Sequence, residues 1–279
     1  MVDIRSAYYN FCISKNINFR NETSVASYDD TTLFCPAGMQ QFKTKFNDKE
    51  YKGTIANIQP CIRLNDINEI GDGTHLLYFN MIGLFSFREL TVKDAIDFWM
   101  SFLIEINAKP DTITIHPDKF SEWSQYYREY NVDIRLDDDC KWSDGEIGGY
   151  CTEFYINNIE IGNIVNPLGD CIDVGFGLER LNLIVNGGDN TDKNSVLKET
   201  ILKIIDSGFK PFNLKQGYVL RKLLRQLYKN GGDIEHEYFK DEILRQDKII
   251  ERYNKLKHRY QDMSKEWWYD THGVDLDLI

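Results

Sequence analysis

Arg63, Asp173, Glu179 and Arg180 are residues whose types and surroundings point to chemistry. The last three lie in "CIDVGFGLERL" (171–181), where Gly175 and Gly177 stand directly ahead of a Glu–Arg pair. Glycine loses more backbone freedom on folding than any other residue, so a pair at i, i+2 marks backbone that something must approach closely. Such a stretch serves an anionic ligand, or it is a tight turn capped by a surface ion pair; residue types alone leave both open. Two arginines brought from distant sequence onto one sheet would clamp a polyphosphate through charge-assisted, bidentate bonds. An aromatic on the strand returning from Arg63, Phe79 or Tyr78, would stack a base, and Asp173 would take a substrate ammonium. This set suits activation of an amino acid by ATP, in which a carboxylate attacks the α-phosphate while arginine and Mg²⁺ neutralise the developing charge.

Those residues need elements to place them. "DIRSAYYNFCISKNINF" (3–19) has Ile4, Tyr8, Phe11 and Cys12 at helical spacing. "TTLFCPAGMQQFK" (31–43) begins as a short strand and breaks at Pro36–Gly38. "ANIQPCIRLN" (56–65) and "THLLYFNMIGLFSF" (74–87) predict two strands of an antiparallel hairpin, joined by the turn-rich "DINEIGDG". Thr91 predicts the N-cap of an amphipathic helix over 91–106. "DTITIHP" (111–117) alternates like a strand, and 148–177 reads as further strands joined by short turns. From Leu178 the pattern turns helical, over 178–186, 194–207, 215–230 and 237–262. The expected fold is α+β: an antiparallel sheet flanked by helices, then an all-helical C-terminal region, with the boundary near "NGGDNTD" (186–192). No GxGxxG follows a strand and no GxxxxGK[ST] loop occurs, so a nucleotide would be held on an antiparallel sheet.

The chain has 279 residues, 42% hydrophobic and 28% charged, as in a soluble globular protein. No apolar run approaches the ~20 residues of a membrane span, and "MVDIRSAYYNF" has no secretory pattern. The expected location is the cytoplasm, without a membrane partner. The six cysteines form no CxxC pair and the five histidines are dispersed, so no metal ligands and no structural zinc are expected. Net charge is −11, yet Ser207–Gly232 carries Lys210, Lys215, Arg221, Lys222, Arg225 and Lys229 with no acidic residue. That local asymmetry marks a basic helical face within an acidic chain.

In this order the motifs resemble the catalytic part of the alanyl-tRNA synthetases, a family of class II aminoacyl-tRNA synthetases. "DTTLFCPAGMQQFK" is similar to the family's first motif region, "QPCIRLNDINEIG…YFNMIGLFSF" to its second and "CIDVGFGLERL" to its third. "YCTEFY" and "IEIGNIV" match the substrate-pocket strands. "NLKQGYVLRKLLRQLYKNGG" (213–232) and "WWYDTHGVDLDLI" (267–279) resemble segments of the helical tRNA-recognition region. The resemblance implies a catalytic domain at 1–187 and a helical domain for the tRNA acceptor stem at 188–279. It implies ATP with Mg²⁺, alanine and tRNA(Ala) as partners, in a monomer or homodimer.

Carried over by residue, Arg63 and Arg180 are catalytic, on the α-phosphate and the ATP phosphates. Phe79, Glu153 and Gly177 join them in binding ATP, Glu153 placing ATP or its metal. Arg63, Trp142, Asn163, Asp173 and Gly175 form the amino-acid pocket, with Asp173 on the substrate ammonium. Asn213 and Asp270 occupy positions that read a G·U pair in the acceptor stem, and Arg221, Lys222 and Arg225 would meet its phosphates. Without the resemblance, Asn213 reads as a helix cap and Asp270 as a surface turn residue.

The chain departs from the family's pattern in several places. The second-motif loop is short and lacks the Gly-Gly-Lys after the arginine. A usual glutamate is Asn80, the return strand's second arginine is absent near "GDGTHLL", and a pocket-strand aromatic is Gly162, expected to reshape the amino-acid site. No editing domain follows, so a minimal alanine–tRNA ligase is expected to charge serine or glycine as well, because one methyl or hydroxyl changes binding by only ~1–3 kcal/mol. Alternatives are a paralogue that hands the activated amino acid to a non-tRNA acceptor, favoured by the short loop and Gly162, and a non-catalytic RNA-binding module.

Overall fold

The strands meet in one mixed, largely antiparallel sheet. The computed structural model describes residues 1–73, 75–188, 192–274 and 276. Thr74 (the expected start of the return strand), residues 189–191 of the expected boundary, and residues 275 and 277–279 lie outside them. The described residues form two compact units. The first spans Met1–Asn68 and Tyr78–Asn190; the second spans Glu69–Leu77 and Thr191–Ile279.

In the first unit, α1 (Ile4–Ser14) is capped by Asp3 and buries Ile4, Tyr8, Phe11 and Cys12, the residues its periodicity predicts. It ends before the expected Phe19 because Asn16 turns left-handed, a conformation Asn tolerates, and Asn18–Asn21 becomes β1. β1 pairs in parallel with β2 (Gly53–Ile62). β2 pairs antiparallel with β3 (Tyr78–Phe87), as expected, from Gly53↔Phe87 to Ile62↔Tyr78. The "TTLFCPAGMQQFK" segment contributes one bridge, Ala26↔Phe34, then a 3₁₀ turn and the short helix α2 (Lys43–Asn47). α3 (Val92–Glu105) starts in a capping box, Thr91 accepting from the Asp94 N–H while Asp94 accepts from the Thr91 N–H.

β4 (Thr112–Ile115), α4 (Pro117–Trp123), β5 (Asp133–Leu136) and β6 (Lys141–Ser143) follow. Then come β7 (Gly148–Ile156), β8 (Ile159–Pro167) and β9 (Cys171–Gly177), which runs directly into α5 (Leu178–Asn186). The strand order is β1-β2-β3-β9-β8-β7-β4-β5, with β6 beside β7.

The sheet has two unlike faces. On one, Ala56, Ile58, Ile82, Leu84, Ile164, Val174 and Phe176 pack against α1, α3 and Leu181 of α5, with Phe176 stacked on Trp99 at 4.2 Å between centroids. On the other, Ile55, Phe85, Phe87 and Cys171 pack with Met39, Phe42, Phe46 and Ile147, and Asn57, Gln59, Glu153, Asn163 and Asp173 share that face.

The second unit holds α6 (Lys193–Asp206), α7 (Lys215–Lys229), α8 (Glu237–Leu256) and α9 (Lys265–His272). α8 stops short of the expected residue 262, and α9, capped by Ser264, is a helix that the residue spacing does not announce. Among the described residues no helix is long and apolar enough to cross a membrane.

Candidate active site

Successive side chains on a strand point to opposite faces, so the pairing register decides which candidates meet. One row crosses six strands on the more polar face: Asn57, Gly83, Gly175, Asn163, Glu153 and Thr114, each paired with the next. The neighbouring row toward the other end holds Ile55, Phe85, Asp173, Val165 and Cys151. On the opposite side lie Gln59, Met81 and Gly177, then Cys61 and Phe79, with Arg63 two residues on from Cys61. Phe79, Glu153, Asn163, Asp173, Gly175 and Gly177 therefore share one face. Trp142 joins them from β6, packed against Cys140, Cys151 and Val165. Of the two aromatics considered for base stacking, Phe79 is on this face; Tyr78 is turned to the other, its hydroxyl near Asn80.

Arg63 is exposed just beyond β2. Its Nε donates to the Pro36 carbonyl at 3.1 Å, and its guanidinium lies 5.1 Å from the Phe79 ring centroid. Arg180 sits in the first turn of α5 and donates through Nη1 to the Glu160 carbonyl at 2.7 Å. Gly175 lies in the middle of the face with the Met81 side chain over it, since an added Cβ would come within 2.8 Å of Met81 Sδ, whereas at Gly177 a Cβ would meet only Arg180 Cβ, at 3.4 Å. The "GFGLER" turn is therefore the end of a central strand running straight into a helix.

Asp173 has no hydrogen-bond partner among the described residues. Burial pushes its carboxyl from the ordinary 3.8 up to about 7, and the Asp144 carboxylate adds to the rise. Asp144 itself is held by Lys43, which bridges it to Asp29 at 3.1 Å on each side. A half-buried carboxyl with no hydrogen-bond partner is suited to receive a cationic group from a ligand. Burial also raises Glu153, with Glu160 and Asp137 adding repulsion. Tyr155 and Thr114 both donate to its Oε2, at 2.6 and 3.4 Å, leaving Oε1 without a donor among the described residues.

Two departures from the family pattern resolve into packing. Gly162 pairs with Phe154 and Phe176, on the face away from the candidates, and an added Cβ would lie 2.4 Å from Phe176 Cγ. The expectation that Gly162 reshapes the amino-acid site is corrected: the Phe176 ring fills its space. Asn80 is also turned to that face and donates to Glu179 from both backbone and side chain.

In the second unit the basic helix is only partly basic on its surface. Arg221 and Arg225 are 8% exposed; Arg221 pairs with Glu242 at 2.9 Å and Arg225 approaches the same carboxylate at 3.9 Å. This corrects their expected role as phosphate contacts, because a guanidinium already paired in the interior is not offered to solvent. Lys222, Lys215 and Lys229 are exposed. Asn213 does not cap α7: the N-cap is Leu214, without a side-chain bond, and Asn213 Oδ1 accepts from Arg221 Nη1. Asn213 and Arg221 line a cleft of ≈ 480 Å³ with Lys210, Tyr238 and Arg245. Asp270 is exposed on α9.

Spacing alone misses one group. Cys140, Cys151 and Glu153 bring their ligand atoms within 4.8 Å of one another. The signal was present in the pairing of β6 with β7 around "SDGEIGG": the Lys141↔Tyr150 register sets Cys140 opposite Cys151.

The chain belongs to the class II tRNA synthetases: residues 3–198 match the family model for class II (A) tRNA synthetases. Its curated relatives include the alanine–tRNA ligase of Chlamydia muridarum, 30% identical over 76% of this chain and 34% of that protein. The enzyme of the same name from Francisella tularensis subsp. novicida is 26% identical over 83% of this chain and 36% of that protein. The chain thus spans about a third of the length of these relatives. Among solved structures, apo histidyl-tRNA synthetase of S. aureus is similar at a TM-score of 0.44 and 12% identity, covering 80% of this chain and 82% of that one.

Proposed function

We propose that this chain carries the aminoacylating activity of an alanine–tRNA ligase. Alanine and ATP give alanyl-adenylate and pyrophosphate; the terminal hydroxyl of tRNA(Ala) then attacks the alanyl carbonyl and releases AMP. The observation that carries this reading is the shared face of Phe79, Glu153, Asn163, Asp173, Gly175 and Gly177, on which the Asp173 carboxyl has no hydrogen-bond partner among the described residues.

The ammonium of alanine pairs with Asp173, which fixes the carboxylate relative to the nucleotide. Trp142 and Asn163 bound a pocket for a small side chain. The adenine lies against Phe79, and the open backbone at Gly177 lets the nucleotide sit close to the sheet. Arg63 and Arg180 take the charge that develops on the phosphates as pyrophosphate leaves. Glu153 Oε1 is the oxygen open to Mg²⁺ arriving with ATP, and that ion would supply further charge neutralisation at the phosphates. Residues 1–187 are the catalytic domain in this reading and 188–279 the acceptor-stem domain, where Asn213 offers its Nδ2 donor, Asp270 its carboxylate and Lys222 its charge.

The test is ATP–pyrophosphate exchange with each amino acid, followed by charging of acceptor-stem minihelices with and without the G·U pair. Alanine-dependent exchange with G·U-dependent charging is the expected result. Exchange without charging would move the assignment to a non-tRNA acceptor, and no exchange with any amino acid would leave a binding module.

A further inference from the structure

We infer that Cys140, Cys151 and Glu153 form a binding site for a thiophilic divalent cation of the zinc class. Cys151 and Glu153 alternate on β7 and so point to one face, and Cys140 lies opposite Cys151, whose N–H donates to the Cys140 carbonyl at 3.0 Å. Their two thiols and one carboxylate oxygen lie within 4.8 Å of one another. Ligand atoms around a tetrahedral ion with bonds of about 2.0–2.3 Å sit about 3.3–3.8 Å apart, so a small inward adjustment closes the set.

The surroundings are those of a supported site. Both cysteines are buried, at 0% and 1% exposure, so their sulfurs are held rather than swinging in solvent. Tyr155 and Thr114 grip Oε2 of Glu153 and leave Oε1 for an ion, while the Thr114 hydroxyl lies 3.0 Å from Cys140 Sγ. One hydroxyl therefore orients two of the three ligands, as outer partners do around protein metals. Contact with the Cys140 thiol, then burial, holds the Cys151 thiol protonated. An ion displaces those protons: two thiols and M²⁺ give a bis-thiolate complex and two protons released to solvent. Three protein ligands leave a fourth position for water. Glu153 is also the carboxylate proposed for ATP or its metal, so an ion held here competes with that role.

The test uses the full chain, reduced and stripped with chelator, titrated with Cd²⁺ as a spectroscopic probe and with Zn²⁺ by calorimetry. One ion per chain is expected, with a thiolate-to-metal charge-transfer band, proton release on binding, and X-ray absorption of zinc-loaded wild type showing two sulfur and two lighter ligands. Cys140→Ser and Cys151→Ser should each halve the band and weaken binding at least tenfold; Glu153→Gln should weaken binding and keep the band. Absence of the band, an all-oxygen/nitrogen or four-sulfur shell, or a band unchanged in Cys140→Ser would overturn the site. The wild-type X-ray measurement stands even if a cysteine variant fails to fold. Because metal binding is read directly, absence of aminoacylation would count against the proposed function and not against this site.

Discussion

Asn80 and Glu179, ninety-nine positions apart, are joined by two hydrogen bonds: the Asn80 backbone N–H and its side-chain Nδ2 donate to the two oxygens of the Glu179 carboxylate at 2.8 and 2.7 Å. Arg5 from α1 donates in turn to Asn80 Oδ1 at 2.8 Å. This chain of bonds ties α1, β3 and the first turn of α5 together, and α5 carries Arg180. A glutamate at position 80 would set one carboxylate against another, so the asparagine fits its partner.

Asn80→Asp keeps the shape and replaces a donor with a charge. We expect a loss of about 1–3 kcal/mol at neutral pH, partly recovered as the new carboxyl protonates in acid. Urea unfolding at pH 7 and pH 4 measures both; equal stability of variant and wild type would remove the bond's structural role.

Asp173 controls two pH profiles. Its folded pKa of about 7 lies above the ordinary 3.8. Between those values the unfolded chain has given up the proton and the folded chain keeps it, so this group's contribution to stability falls as pH rises through that window. Asp173→Asn removes that fall, and denaturant midpoints at pH 5 and pH 8 should converge. In the proposed reaction the alanine ammonium pairs with the ionised form, so KM for alanine should drop with rising pH up to about 7. The Asn variant should lose that dependence together with at least 100-fold in kcat/KM.

Arg63 is held by the Pro36 carbonyl and the Phe79 ring, and Arg180 by the carbonyl and, at 4.0 Å, the carboxylate of Glu160, with neither buried, so their removal costs little structure. Arg63→Ala and Arg180→Ala should each reduce pyrophosphate exchange by about 10²–10³, with melting temperature nearly unchanged. A variant that retains exchange would take that arginine out of the phosphate site.

Gly162→Ala drives a methyl into the Phe176 ring, which is already stacked on Trp99. The expected cost is about 1–3 kcal/mol of stability, with the alanine-to-serine ratio in exchange unaltered. A changed ratio would put Gly162 back in the pocket.

Arg221 and Lys222 are adjacent in sequence, one buried against Glu242 and the other exposed. Arg221→Ala leaves Glu242 buried without its closest partner and should cost about 3–5 kcal/mol. Lys222→Ala should leave stability alone and weaken binding of an acceptor-stem RNA in a salt-dependent way. Calorimetric melting and a salt series of RNA binding separate the two.

Much of this protein was determined locally. The spacing of Ile4, Tyr8, Phe11 and Cys12, the Thr91 N-cap and the hairpin of 56–65 with 74–87 around its turn-rich connection depend on neighbours a few residues away, so they read directly from the chain. The order of the motifs likewise pointed to the class II synthetase family. Tertiary structure decided the rest, because facing and pairing are set by partners far along the chain. It turned Arg221 and Arg225 inward to Glu242, closed Phe176 over Gly162, and gave Asn213 to Arg221 rather than to a helix N-terminus. It also set two cysteines eleven residues apart beside Glu153. A strand's period of two assigns each residue to one face or the other, but only the neighbouring strand's register says what it meets there.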